Sequence, residues 1–141
     1  MKIKTFINFK KEREIVKNMN YEEFVFSLMD TEAAVFGGAV INNAGDLVYQ
    51  TANWDIKGDV PQLKKILGGE NPGSLSIMKI KYMIVEFTPE RIIATNVTHK
   101  GHIIVAPMEK GALICYIDPA KGPRDGLFNV QSFAQKLKGN L

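Results

Sequence analysis

Between Met78 and Pro119 the chain carries four apolar, β-branched runs in succession: Ile80 to Phe87, Arg91 to Val97, His102 to Met108 and Ala112 to Asp118. They are separated by the turn-forming clusters TPER, THKG and MEKG, so the stretch reads as a four-stranded antiparallel meander. Side chains two apart share a face of a strand, which sends Tyr82, Ile84 and Glu86 one way and Met83, Val85 and Phe87 the other. Neither face is uniformly polar, so helices or another chain are expected to cover part of both. Pro107 falls near the end of the third run, where a missing N–H is tolerated at a terminus or edge and pairing should weaken.

The rest of the chain frames this sheet. Asn20 with Glu23 three residues later marks a helix start, and Tyr21, Phe24, Val25, Leu28 and Met29 form its apolar stripe to about Met29. VFGGAVINNAGDLVYQT is a hairpin turning at residues 42 to 46, with Gly37 and Gly38 predicting a bulge or close approach of another backbone. Trp54, the only tryptophan, falls in a loop and is either an exposed binding residue or a plug at the edge of the core. Asp59 is placed to cap a short helix with Pro61 in its first turn, Val60, Leu63, Ile66 and Leu67 on its apolar face, and Gly68-Gly69 at its end. SLSIMKI begins a further strand that leads into the meander. After the Gly/Pro-rich PAKGPRDG, Leu127, Val130, Phe133, Ala134 and Leu137 share the face of a final helix that stops near Gly139. The order of helix, hairpin, helix, about five strands and helix argues for an α+β fold. One antiparallel sheet should carry the terminal helices on one side and the middle helix on the other.

Charge is distributed in blocks. Residues 1–18 hold six Lys/Arg and two Glu (+4), residues 19–56 hold six acids and no Lys/Arg (−6), and residues 57–141 hold twelve against seven (+5), which sums to +3. The basic C-terminal half favours an acidic partner surface. The first segment, MKIKTFINFKKEREIVKNM, reads as a mobile basic extension over residues 1–19 with apolar anchor points. It suits anionic lipid headgroups, through Lys2, Lys4, Lys10, Lys11 and Arg13, or the acidic middle of its own domain. The folded domain then covers 20–141. A densely charged N-terminus and the lack of any apolar run of about 18 residues suggest a cytosolic protein.

Signals for chemistry are few. Cys115 lies within GALICYI as a small buried hydrophobe. His99 and His102 flank the THKGH turn without a third ligand and read as loop surface rather than a metal site. GGAV and GGENPG lack the Gly-Lys-Ser/Thr ending of a phosphate loop, and neither a nucleophile elbow nor a paired-carboxylate motif appears. Asn96-Val97-Thr98 matches a glycosylation sequon by pattern only. Nothing here calls for catalysis, a cofactor, a metal or nucleic acid.

Several segments together resemble the profilin family, most closely the divergent profilins of Asgard archaea. KYMIVEFTPERIIATN is similar to a Lys-Tyr-Met-Val strand, turn and following strand of that family, and GGAVINNAGDLVYQT to its first hairpin. YEEFVFSLM resembles the N-terminal helix, with Tyr21 and Phe24 at its two aromatic positions, and DGLFNVQSFAQKL resembles the C-terminal helix. The resemblance spans residues 20 to 141. It implies a monomeric protein that binds monomeric actin, itself acidic, and so regulates filament assembly. The matching positions are Lys79, Lys81, Arg91, Asn96, His99, Lys100, Arg124, Phe128 and Asn129. It also implies stacking of proline-rich peptides between the terminal helices, on Tyr21, Phe24, Tyr49 and Trp54, and binding of phosphoinositides by Lys/Arg of the extension and C-terminal half. Departures from the family weaken the proline-rich expectation: Tyr49 stands where the family usually places a tryptophan, the chain has Tyr and Phe where two tryptophans are usual, Lys136 stands near a usual histidine, and the chain ends at Leu141 without an aromatic. The alternative is a roadblock or longin-type module, which shares the helix, hairpin, helix and sheet order and regulates small GTPases as a homodimer.

Overall fold

The computed structural model describes residues 20–137. The basic extension, with Lys2, Lys4, Lys10, Lys11 and Arg13, and the expected stop near Gly139 lie outside the described residues. Helix α1 (Tyr21–Thr31) opens as predicted, with the Asn20 side-chain oxygen accepting from the Glu23 N–H at 3.3 Å. It continues past Met29 because nothing breaks it before Glu32, where the backbone turns extended. Strands β1 (Val35–Asn42) and β2 (Leu47–Gln50) form the hairpin, followed by a 3₁₀ turn (Lys57–Asp59) and helix α2 (Val60–Leu67). Strands β3 (Ser74–Ile77), β4 (Ile80–Phe87), β5 (Ile92–Thr95), β6 (His102–Met108) and β7 (Gly111–Ile117) come next, and helix α3 (Leu127–Leu137) closes the order.

All seven strands form one antiparallel sheet in the order β2-β1-β7-β6-β5-β4-β3. The expected meander is therefore present as β4 to β7. A second connection, from β2 across to β3, carries α2. Around Pro107, β6 stays paired to β7 through Met108, whereas β5 ends opposite Val105, so pairing weakens on one side only.

Two apolar layers sandwich the sheet, as the alternation of its strands requires. On one face α1 and α3 bury Val25, Leu28, Val130, Phe133, Ala134 and Leu137 against Val40, Ile104, Leu113 and Cys115. On the other, α2 and the loop before it bury Leu63, Ile66, Ile56 and Trp54 against Ile41, Tyr82, Ile103 and Ile114. Gly38 lets α1 approach closely, because a Cβ there would sit 2.8 Å from Val25 Cγ1. The predicted irregularity in β1 falls between Val35 and Gly37.

Four expectations are corrected. First, the strict alternation of β4 fails at a bulge between Ile84 and Glu86. Glu86 then pairs with Ile93 and Phe87 with Ile92, so Phe87 rejoins the face of Tyr82 and Ile84 while Glu86 moves to the opposite one. Second, Asp59 makes no capping bond to α2; its Oδ2 accepts from the Met78 N–H at 3.0 Å. That contact holds the β3–β4 turn, whose two residues, Met78 and Lys79, both have positive φ (51° and 67°) and match a tight hairpin loop. Third, His102 is not loop surface. It begins β6, is 9% exposed, and its ring lies 2.7 Å (Nδ1) from Thr95 Oγ1 and 2.6 Å (Nε2) from the Lys121 carbonyl oxygen. Nε2 therefore carries a proton and donates to that carbonyl. Fourth, of the two readings of Trp54 the core plug holds: it is 5% exposed, tilted against Tyr116 at 6.2 Å, and packed on the α2 face of the sheet, away from the proline-stacking position that the family resemblance implied.

Candidate docking surface

The terminal helices do not cover their whole side of the sheet. Helix α1 packs on β1 and β2 and α3 on β6 and β7, which leaves the same face of β3 and β4 open. Cross-strand partners share a face, so Ser74 and Met83 stand together there, with Thr95 beyond Met83, and Ser76 stands with Lys81. Met83 is 40% exposed, and Val85, the residue skipped by the bulge, is 48% exposed. At the start of α3, Phe128 is 82% exposed. These large apolar side chains are surrounded by polar and charged ones, an arrangement suited to partner binding.

A short network ties the rim of this surface together. Glu86 accepts from Arg124 Nη2 at 2.7 Å and from Arg91 Nε, joining β4 to the β4–β5 turn and to the segment that leads into α3. Hydrogen bonding by Arg124 and then Arg91 holds the Glu86 carboxyl below its ordinary range. Gln131 of α3 adds a donor to the Glu90 carbonyl at 3.3 Å.

At the other end, Asn96 is committed to the backbone. Its Nδ2 donates to the Lys81 carbonyl at 2.8 Å, and its Oδ1 accepts from the N–H groups of Thr98 and Lys100 and from the Thr98 hydroxyl. This folds the β5–β6 turn into an Asx-type loop that displays His99 and Lys100, with His99 at φ 64°. The turn is pinned from below: Tyr116 donates its hydroxyl to the Lys100 carbonyl at 2.7 Å. Gly101, at φ 112°, passes so close that a Cβ would lie 2.6 Å from the Tyr116 ring.

Of the nine positions read from the sequence, Lys81, Asn96 and Lys100 meet at the β5–β6 end, and Arg91 and Arg124 meet on Glu86. Phe128 follows shortly after Arg124. Lys79 is exposed in the β3–β4 turn, two residues from Lys81, and His99 is exposed in its own turn. Asn129 is drawn elsewhere, its Nδ2 donating to Glu32 Oε1 at 2.9 Å beside the end of α1. Met83, Val85 and Glu86 were missed. An apolar face with no helix to cover it was a usable signal for the first two, while the bulge that turns Glu86 onto that face has no marker in VEFTPE.

The proposed aromatic platform is divided. Tyr21, Phe24 and Tyr49 all edge the layer between α1, α3 and β2, and Phe24 meets Phe133 edge-on at 5.5 Å. Lys136 Nζ lies 4.2 Å above the same Phe133 ring. Partial burial raises the Tyr21 and Tyr49 phenols, with Glu22 adding to the rise at Tyr49. Trp54 is on the opposite side of the sheet and cannot join them.

No protein-family model matches the chain. Loki profilin-1 of Lokiarchaeum sp. (strain GC14_75) is 46% identical over 125 residues, covering 82% of this chain and 93% of that protein. Odin profilin of Odinarchaeota yellowstonii (strain LCB_4) is 32% identical over 100 residues, 70% of this chain and 82% of its own. Among solved structures, LokiProfilin1 in complex with rabbit actin superposes with a TM-score of 0.81 at 43% identity, covering 87% of this chain and 98% of the matched one.

Proposed function

The chain belongs to the profilin family, and on that premise we propose that it binds monomeric actin and thereby regulates filament assembly. The carrying observation is that Met83, Val85 and Phe128 are exposed on and beside the uncovered β4, while Arg91 and Arg124 meet on Glu86 and Lys81, Asn96 and Lys100 meet at the β5–β6 end. A desolvated apolar centre with a polar, positively charged rim is how a protein interface gains affinity and orientation together. Relatives over 40% identical support the reading, since two Loki profilins have been solved with rabbit actin. The roadblock alternative has no such support. Lys79 and His99 extend the rim, and Asn129 acts by holding α3 to α1 rather than by touching actin.

Proline-rich segments are a second ligand, favoured by the grouping of Tyr21, Phe24 and Tyr49 between the terminal helices. Trp54 drops out of that site. Phosphoinositide headgroups remain the ligand suited to Lys2, Lys4, Lys10, Lys11 and Arg13. The protein works by binding rather than by catalysis, as a cytoplasmic domain from residue 20 onward preceded by a basic extension. No helix among the described residues is long and apolar enough to cross a membrane. The test is spontaneous assembly of rabbit actin with rising amounts of the protein. Slower nucleation and less polymer are expected, and unchanged kinetics at excess protein contradict the proposal.

A further inference from the structure

The outer side of α1 has a composition that its own fold does not explain. Phe26 points away from the core and is 48% exposed. Residues three and four positions away on a helix are surface neighbours, and for Phe26 these are Glu22, Glu23, Met29 and Asp30; Met29 packs against the core, and the three acids are exposed. Among the described residues, the ion pairs are those of Glu86 with Arg91 and Arg124, so none neutralises these three carboxylates. Residues 19–56 contain no Lys or Arg at all. An exposed phenylalanine ringed by uncompensated acids is therefore an unpartnered helix face of defined chemistry, one that fits a positively charged segment with apolar side chains.

The chain itself supplies such a segment. Residues 1–18 hold Lys2, Lys4, Lys10, Lys11, Arg13 and Lys17, interleaved with Ile3, Phe6, Ile7 and Phe9. They join the domain at Asn20, which caps the same helix. Eighteen residues can span up to about 60 Å, whereas α1 is only about 16 Å long, so every residue of the helix face is within reach. Attachment at this point also gives a high effective concentration. We propose that residues 1–18 dock on the outer face of α1, with an apolar side chain against Phe26 and Lys/Arg side chains against Glu22, Glu23 and Asp30. The extension is then a cover for the acidic side of its own domain, at a site separate from the β4–β5 surface.

The test uses the full chain. A nitroxide attached at Thr5→Cys labels one place only, because Cys115 is fully buried and its thiol is raised far out of the reactive range by that burial. In low salt, the amide signals of Glu22, Glu23, Phe26 and Asp30 are expected to lose intensity relative to the reduced sample, while those of Met83 and Val85 keep theirs. The loss should shrink at about 0.5 M salt, where charges are screened within a few ångströms. It should also shrink in Phe26→Ser, whose melting temperature should stay close to that of the parent. Uniform intensity along α1, or losses concentrated at Met83 and Val85, overturn the proposal. So does loss of α1 signals when nitroxide-bearing chains are mixed with separate isotope-labelled ones, since that places the segment on a second copy.

Discussion

Arg124 Nη2 lies 2.7 Å from Glu86 Oε1, and this contact spans 38 residues to fasten the approach to α3 onto β4. The second Glu86 oxygen takes Arg91. Two arginines on the proposed actin face are thus held by one carboxylate, which limits their rotamers before a partner arrives. Preorganisation of this kind lowers the entropic cost of binding.

The Glu86 pairing has a definite pH dependence. Its carboxyl is lowered in the folded state, so the unfolded chain binds the proton more readily and the pairing stabilises the fold above the unfolded carboxylate range near 4. That contribution disappears as pH falls through the lowered folded value. The melting-temperature difference between the parent protein and Glu86→Gln is expected to narrow from pH 6 towards pH 3, about the span in which carboxylates titrate. A difference that widens on acidification contradicts the assignment.

Phe128→Ser separates binding from stability. The ring is 82% exposed, so its removal should change unfolding free energy by no more than about 0.5 kcal/mol. Affinity for monomeric actin should fall by about 1 to 3 kcal/mol if the ring fills a pocket at the centre of the interface. Denaturant unfolding and a titration with labelled actin read the two effects separately.

Tyr21 and Trp54 should behave oppositely. Tyr21→Ala is expected to weaken binding of a proline-rich peptide by about 1 to 3 kcal/mol. Trp54→Phe, buried on the far side of the sheet, should lower the melting temperature and leave peptide affinity unchanged. Peptide titration by NMR with both variants decides between one platform and the divided arrangement.

Gln62 protects the free edge of β3. Its Nε2 donates to the Ser76 carbonyl at 3.1 Å and its Oε1 accepts from the Ser76 N–H at 2.9 Å, occupying the groups a further strand would use. Gln62→Ala should cost about 1 kcal/mol or somewhat more and raise light scattering on incubation near the melting temperature. Scattering equal to that of the parent would show that the edge is protected in another way.

The fold was largely legible because its elements are marked by periodicity and punctuation. Tyr21, Phe24, Val25 and Leu28 recur at helical spacing, and TPER, THKG and MEKG mark the returns of the meander. What stayed hidden depends on contacts between distant residues. His102 looked like turn surface until Thr95 and the Lys121 carbonyl, 19 residues away, enclosed its ring. Asp59 had the position of a cap but found the Met78 N–H instead. Of the candidate site, the basic residues could be named from the sequence. Phe128 could be named as well, and an apolar face without a covering helix was a signal for Met83 and Val85; the turning of Glu86 onto that face was not legible, because the one-residue bulge at Val85 resets the faces of β4 without a glycine or proline to announce it.

Hydrogen exchange of the protein with and without monomeric actin tests the central proposal most directly. Slower exchange is expected in the β4–β5 turn, the β5–β6 turn around Asn96 to Gly101 and the first turn of α3, with the outer side of α1 and strand β2 unchanged. Protection confined to α1 and β2, or no protection anywhere at saturating actin, would contradict it.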